Sequence, residues 1–335
     1  MSERRLRAGV NLIPEAPVGV ISDLAVEAER LGFDRCWVYD EGLATRDLYV
    51  TMTAIAQATS RLEIGPGITN AYTRHPGQTA AAIATLDELS GGRAFLGLGA
   101  GGSLTLDPLV LGRVHPLETV HQTIKACRGL FTGTTVDMEA PTFSLRSAHM
   151  GWARPDIPIW LAGRGPKMLD LGGAETDGVM LDFIYKPALG EYVERVRAGS
   201  TRTGNRAGIC YSTMVVTDDA ALETVRPHMT YRLVDSPEPV RIALGITDED
   251  VATIRSALAD GLDAAARYVP DEWVLPFVIA GTVDECAAEL ADLAERHGLD
   301  EFLVPIFDAH SGAALLDVPA RVLAGPLAPI FKSPG

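Results

Sequence analysis

Two adjacent carboxylic acids, Asp40 and Glu41, follow an apolar run and precede Gly42. A buried carboxyl group has a raised pKa and can then donate or accept a proton beside a reacting atom. It can also accept a hydrogen bond from a cofactor ring. An acidic pair of this kind is common in capped turns as well, so the residues alone leave both interpretations open.

A glycine-rich turn at residues 163–167 has the composition of an anion site. Gly163, Arg164, Gly165, Pro166 and Lys167 follow a short apolar run and begin a segment with helical character. Small residues let backbone amides approach an anion, and the amino end of a helix carries a partial positive charge. The arginine or the lysine can add a cation. We therefore predict a phosphate site, although a tight strand-to-helix turn would need the same glycines.

A second glycine-rich segment consists of Gly99, Ala100, Gly101 and Gly102. It lacks the third glycine of the dinucleotide-binding pattern at the required offset, so it does not predict a Rossmann fold. The segment would allow close approach of a flat ring or of a phosphate. An ordinary loop is the alternative.

The segment from residue 61 to residue 76 combines an interrupted strand with a polar run, and its sequence is RLEIGPGITNAYTRHP. Proline cannot donate to a strand ladder and glycine weakens a strand interior, so the strand should bulge or end at residues 65–67. Polar residues such as Thr69, Asn70 and His75 follow directly, and Pro76 is suited to begin a helix. We predict a ligand site here; a solvated loop is the alternative.

Several other kinds of site find no support in the sequence. The four cysteines are isolated from one another, so neither a zinc site nor a disulfide framework is predicted. Gly-x-Ser-x-Gly, His-Glu-x-x-His and P-loop motifs are missing. The formal charge of -15 argues against nucleic-acid binding. Because no run of about 20 apolar residues occurs, we expect a cytoplasmic protein that does not contact membranes.

The candidate residues are separated by an alternation of strand-like and helix-like segments. Strands are predicted at residues 7–13, 35–40, 62–69, 93–98, 157–162, 178–184, 208–217 and 301–307. Helical periodicity lies between them, for example over residues 20–31, 48–59, 76–89 and 115–131. Eight strand–helix units favour an α/β fold of the closed (β/α)8 TIM-barrel type, as one domain over residues 1–335. A doubly wound sheet is the alternative.

Two segments interrupt this alternation. Residues 132–156 contain short runs that suggest a hairpin, and residues 235–271 are acidic and partly helical, so we predict insertions at both places. In a barrel the active site lies at the carboxyl ends of the strands. The glycine-rich segments, the acidic pair and Asn11 all lie at the carboxyl ends of predicted strands, so they should converge at one face.

Together these segments resemble the bacterial luciferase-like superfamily, and within it the coenzyme F420-dependent methylenetetrahydromethanopterin reductases and their relatives. The similar segments are WVYDE at 37–41, GPGITN at 65–70 with YTRHP at 72–76, TLDELSGGR at 85–93, LGLGAGG at 96–102 and AGRGPK at 162–167. The resemblance covers most of the predicted barrel and weakens through residues 132–156 and 220–275. It implies a TIM-like barrel with insertions, usually a homodimer, that binds a flavin or deazaflavin at the strand ends.

The resemblance also implies where the cofactor binds. A cis peptide at Gly67–Ile68 in the third-strand bulge would support the ring, together with Thr69 and Asn70. Residues 163–167 would bind the cofactor phosphate, and residues 99–102 would line the path of the phosphate or tail.

The same resemblance implies the roles of the acidic pair. Asp40 would contact the cofactor ring, and Glu41 would face the substrate as a proton donor. Asn11 and His75 are the predicted substrate contacts. Asn11 stands at a strand end where a methylenetetrahydromethanopterin reductase tends to have glutamate, which argues against a methanopterin substrate.

We therefore expect an oxidoreductase that moves a hydride between reduced coenzyme F420 and a small organic substrate with a C=N, C=C or carbonyl bond. Lysine occupies only four of the 29 basic positions, a composition typical of GC-rich bacterial genomes, and this favours F420 over FMN. One alternative is an FMN-dependent monooxygenase on the same barrel. Another is a flavin-binding protein without catalysis, but such proteins typically have truncated barrels.

Overall fold

Strands and helices alternate along the computed structural model, which describes residues 6–309 and 312–324. The first half contains β1 (Arg7–Leu12), α1 (Val18–Arg30), β2 (Arg35–Val38), α2 (Leu48–Ala58), β3 (Glu63–Pro66), β4 (Thr69–Asn70), α3 (Pro76–Ser90), β5 (Leu96–Gly99), α4 (Ser103–Leu106), α5 (Pro116–Phe131), β6 (Val136–Glu139) and β7 (Ser144–Ala148). The second half contains β8 (Ile159–Ala162), α6 (Pro166–Glu175), β9 (Gly178–Asp182), α7 (Leu189–Thr203), β10 (Gly208–Ser212), β11 (Val215–Val216), α8 (Asp219–Val234), α9 (Glu238–Leu244), α10 (Asp248–Ala257), α11 (Leu262–Ala266), α12 (Asp271–Val274), β12 (Ile279–Ala280), α13 (Val283–His297), β13 (Glu301–Ile306) and α14 (Gly312–Ala324).

The main sheet is a barrel of parallel strands. Its strands follow the order β3-β2-β1-β13-β10-β9-β8-β5-β4. β3 and β4 are the two halves of the predicted third strand, interrupted at the cis peptide Gly67–Ile68. A bridge between Ile64 and Ala94 brings β3 against the chain entering β5, so the two edges of the sheet meet. The predicted TIM-like barrel is confirmed, and the doubly wound alternative is wrong.

Apolar residues pack on both sides of the strands. The larger core cluster lies between the strands and the surrounding helices, as Ile21 and Ile55 illustrate. A smaller cluster fills the barrel interior and contains Trp37, Phe95, Trp160, Met180, Cys210 and Leu303. Side chains that alternate along parallel strands point inward and outward in turn, so both faces of each strand are buried.

The predicted seventh strand is wrong in extent. Residues 208–217 were expected to be continuous, but β10 ends at Ser212, and β11 leaves the barrel to pair with β12. The change of direction occurs at Thr213, whose hydroxyl donates to the Phe277 carbonyl at 2.6 Å. An uninterrupted apolar run does not reveal which sheet its residues join, because that depends on distant partners.

The segments predicted as insertions contain extra elements. Residues 132–156 hold the antiparallel pair β6–β7. Residues 235–271 hold α9, α10 and α11, which pack with α8 in a second apolar cluster above the barrel. Among residues 6–309 and 312–324, no helix has both the length and the apolar character needed to cross a membrane.

Candidate active site

The acidic pair lies just beyond the carboxyl end of β2. Asp40 accepts a hydrogen bond from the Thr69 hydroxyl at 2.6 Å, and this bond links the acidic pair to β4. Burial raises the pKa of the Asp40 carboxyl despite this hydrogen bond. Burial also raises the pKa of Glu41, and the positive charge of Arg232 opposes that shift. Both carboxyl groups therefore keep a proton at a higher pH than exposed ones.

The interruption of the third strand forms a ledge beside this pair, and we call residues 66–69 the shelf. Asn11 donates from Nδ2 to the Gly67 carbonyl at 2.9 Å, while its Oδ1 is buried without a hydrogen-bond partner. A Cβ added at Gly67 would lie 2.5 Å from Asn11 Oδ1 and 2.6 Å from the Trp37 Cβ. Only glycine therefore fits between these two side chains at this position.

We expect Gly67→Ala to lower the free energy of unfolding by about 1–3 kcal/mol, as overpacking of a well-filled interior does. The crowding atoms belong to buried residues that have little room to move. Urea unfolding followed by circular dichroism measures the change. Gly102→Ala is the control, because a Cβ there meets nothing within 4 Å. Equal stability of the two variants would show that the shelf tolerates a side chain.

The glycine-rich turn after β8 leaves the amino end of α6 open. Gly165 is the N-cap, Pro166 follows at the first helical position, and no side chain caps this end. A Cβ at Gly165 would meet nothing within 4 Å, so space remains in front of the amides. Lys167 is exposed in the first turn, and Arg164 reaches the Asp182 carbonyl at 3.3 Å. An uncapped helix end with two nearby cations suits a phosphate.

The other glycine-rich segment contacts the shelf. A Cβ at Gly99 would collide with the side chain of Ile68, so the absence of a side chain lets β5 approach the shelf. Gly101 adopts a positive φ of 72°, and a Cβ at Gly102 would meet nothing within 4 Å. A planar ring on the shelf with a phosphate-bearing tail therefore fits the residues present.

A charged residue of α8, Arg232, also lies at the site, and the sequence analysis did not predict it. Arg232 donates to Asp182 Oδ2 at 3.1 Å, and Asp182 Oδ1 accepts from Ser212 at 2.7 Å. The guanidinium also lies 4.3 Å from the centre of the Phe183 ring. Helical spacing could have revealed it, because Arg232 lies three residues after the buried Met229 and shares the apolar face of α8.

His228 also comes from α8 and stacks on Phe307, with ring centres 3.7 Å apart. Burial, assisted by the charge of Arg232, lowers the pKa of His228 to about 4. The imidazole is therefore neutral at physiological pH. It adds an uncharged aromatic surface near the charged pair of Arg232 and Asp182.

The predicted residues His75 and Asn70 shape loops in the structure. His75 caps α3, its Nδ1 accepting from the Gly77 amide at 3.1 Å, and its Nε2 lies 3.1 Å from the Ser144 carbonyl oxygen. These bonds join α3 to the β6–β7 hairpin, so both ring nitrogens are engaged away from the acidic pair. Asn70 Oδ1 accepts from the amides of Tyr72 and Thr73, both at 2.9 Å. A substrate contact by His75 stays a prediction.

Known proteins with similar sequences and structures identify the family. Residues 6–301 match the family model described as luciferase-like monooxygenase. A 5,10-methylenetetrahydromethanopterin reductase from Methanolobus tindarius is 34% identical over 298 residues, covering 86% of this chain and 90% of that protein. A putative coenzyme F420-dependent oxidoreductase from Mycobacterium tuberculosis is 29% identical over 304 residues, covering 81% of this chain and 86% of that protein.

Structural similarity agrees with these matches. The coenzyme F420-dependent tetrahydromethanopterin reductase from Methanopyrus kandleri superposes with a TM-score of 0.84 at 25% identity, covering 98% of this chain and 100% of that one. The motifs, the barrel and the family match thus agree, and the chain belongs to the luciferase-like monooxygenase family of oxidoreductases.

Proposed function

We propose that this enzyme is a coenzyme F420-dependent oxidoreductase that transfers a hydride between the cofactor and a small organic substrate with a C=N, C=C or carbonyl bond. The observation that carries the proposal is the hydrogen bond from Thr69 on the shelf to Asp40, next to Glu41. It joins a surface suited to a flat ring with two carboxyl groups whose pKa values are raised by burial. Relatives whose names specify coenzyme F420 add independent support.

The cofactor would be held by glycines with open space around them and by the backbone amides of α6 that no side chain caps. Its phosphate would bind at residues 163–167, its tail would pass residues 99–102, and its ring would lie on the shelf. When bound, the cofactor supplies the hydride chemistry. Asn11 holds the Gly67 carbonyl and so keeps the backbone of the shelf in one position.

Proton transfer is the part of the reaction that belongs to the protein. Hydride addition to a C=N, C=C or carbonyl bond leaves an electron pair that requires a proton. We assign the delivery of this proton to Glu41, because burial raises its pKa and so favours the protonated form. Thr105 Oγ1 lies 3.5 Å from Glu41 Oε2. In the reverse direction the carboxylate of Glu41 accepts the proton. Asp40, which accepts a hydrogen bond from Thr69, would contact the ring.

Binding of F420 and of FMN, titrated separately into the purified protein, tests the cofactor. We expect F420 to quench tryptophan fluorescence at micromolar concentrations or below, and FMN to bind more weakly. Trp37 and Trp160 belong to the cluster that fills the barrel interior, so their emission should report on a ring bound at the strand ends. Preference for FMN together with oxygen consumption would instead establish a monooxygenase. Tight binding without turnover on any substrate would indicate a non-catalytic binding protein.

The resemblance also implies a homodimer, which remains a proposal. Sedimentation of the purified protein distinguishes a dimer from a monomer of 35.7 kDa. If the protein is a monomer that binds F420 and turns over substrate, the activity does not require a dimer.

A further inference from the structure

The amino end of the barrel interior contains charged side chains that the proposed chemistry does not use. Arg35, Glu63 and Glu301 each stand at the first position of a strand. Arg35 pairs with Glu63 at 2.6 Å and with Glu301 at 2.6 Å. Arg35 is 3% exposed and Glu301 is 1% exposed. Such deeply buried charges require complete pairing, because a lone charge in an interior is strongly destabilising.

Glu301 connects this charged layer to the aromatic layer above it. Its Oε2 accepts from Arg35, and its Oε1 accepts from the Trp37 indole Nε1 at 2.8 Å. Gly9 on the neighbouring strand provides the room, since a Cβ there would lie 2.5 Å from Glu301 Oε1. Both carboxylate oxygens therefore have a partner, one charged and one aromatic.

Trp37 in turn lies directly against the shelf. Its Cβ is 2.6 Å from the position of a Cβ at Gly67, and its ring contacts Phe95 edge-on at a centroid distance of 4.5 Å. A Cβ added at Gly97 would lie 3.0 Å from Trp37 Cζ3 and 2.0 Å from the Pro66 carbonyl oxygen, so no side chain fits between the indole and the shelf there. A rotated indole would lose its bond to Glu301 and leave buried polar atoms unpaired.

We infer that Glu301 is a positioning residue for the cofactor. It holds the Trp37 indole in one orientation, and Trp37 supports the shelf from below. The inference rests on the proposed function, because it takes the shelf as the surface that carries the F420 ring. Glu301 touches neither cofactor nor substrate, so its effect reaches the site only through Trp37.

Glu301→Gln tests the first link. Arg35 and Trp37 donate to different oxygens of Glu301, and glutamine replaces one of these oxygens with an NH2 group that cannot accept, so one of the two hydrogen bonds is lost. We expect the F420 dissociation constant to rise about tenfold, a smaller effect than the roughly 10²-fold loss that a 1 Å misplacement of a positioned group can cause. Leu290→Ala, in the buried face of α13 and outside the barrel interior, is the control for lost stability. Leu290→Ala should unfold at a lower urea concentration than the wild type and still bind F420 with wild-type affinity.

Trp37→Phe tests the second link, because it keeps an aromatic ring and removes the indole donor. If Glu301 acts through Trp37, the double variant binds F420 no more weakly than the weaker single variant. Additive losses, or wild-type affinity in both single variants, would overturn the positioning role. If Glu301→Gln does not fold, F420 binding by Trp37→Phe is the test, because this variant preserves the Arg35–Glu301 pair. Weaker F420 binding by Trp37→Phe would support the inference, and unchanged binding would refute it. If the wild type does not bind F420, the proposed function fails and this inference fails with it.

Discussion

Replacement of Glu41 by glutamine should lower kcat by about 10²–10⁴-fold, the usual contribution of a general acid or base. The amide keeps the shape of the side chain, and its carbonyl can still accept from Thr105, but it has no acidic proton to donate. Because the backbone and the shelf are unaltered, F420 affinity should stay close to that of the wild type. Steady-state kinetics on an accepted substrate gives kcat, and fluorescence titration gives the affinity.

The pH dependence provides a second readout of the same variant. Burial raises the pKa of Glu41, so the protonated acid persists to a higher pH than in solution. In the direction of substrate reduction, kcat of the wild type should therefore fall as the pH rises through that pKa. Glu41→Gln should lack this decline. Glu88→Gln, at an exposed position on α3, is the matched control and should retain it.

Two results would assign Glu41 differently. Equal losses of kcat and F420 affinity would make it a binding residue. Retention of the pH dependence in Glu41→Gln would point to another buried acid, and Asp40 is the neighbouring one whose pKa is raised by burial.

Replacement of Gly165 by valine should weaken F420 binding by about 10- to 30-fold. An anion at a partly buried helix amino end gains up to about 2 kcal/mol, and each 1.4 kcal/mol corresponds to a factor of ten in affinity. The new side chain would occupy the space in front of the α6 amides. It should not unfold the protein, because Gly165 has the extended φ of -73° and ψ of 142° that valine adopts readily. Fluorescence titration measures the affinity.

Gly19→Val on α1 is the control for a new β-branched side chain near a helix start, since a Cβ there also meets nothing within 4 Å. Titration with the deazaflavin ring system that lacks the phosphate is a further comparison. This ring system should bind the wild type and Gly165→Val equally if the turn recognises only the phosphate. Unchanged affinity of Gly165→Val for complete F420 would place the phosphate elsewhere.

Most of the barrel was predictable from local signals. The break at residues 65–67 follows from proline and glycine in a strand, and the cis peptide at Gly67–Ile68 agrees with the expectation from the family resemblance. The start of α3 at Pro76 and the turn before α6 follow from residues with strong positional preferences. The resemblance also gave the luciferase-like family, which the matches over residues 6–301 confirm.

The sequence by itself determined where most strands and helices lie, because their positions depend on backbone preferences of neighbouring residues and on apolar periodicity. It did not determine every end, as the early end of β10 at Ser212 shows. The tertiary structure alone decided which distant side chains meet. Arg232 reaches Asp182 across 50 residues, and Trp37 reaches Glu301 across 264 residues. Nothing local marks such pairs, since burial and charge pairing arise only when the barrel closes and α8 packs above it. For the same reason His75, a residue with catalytic chemistry, caps a helix and joins it to a hairpin.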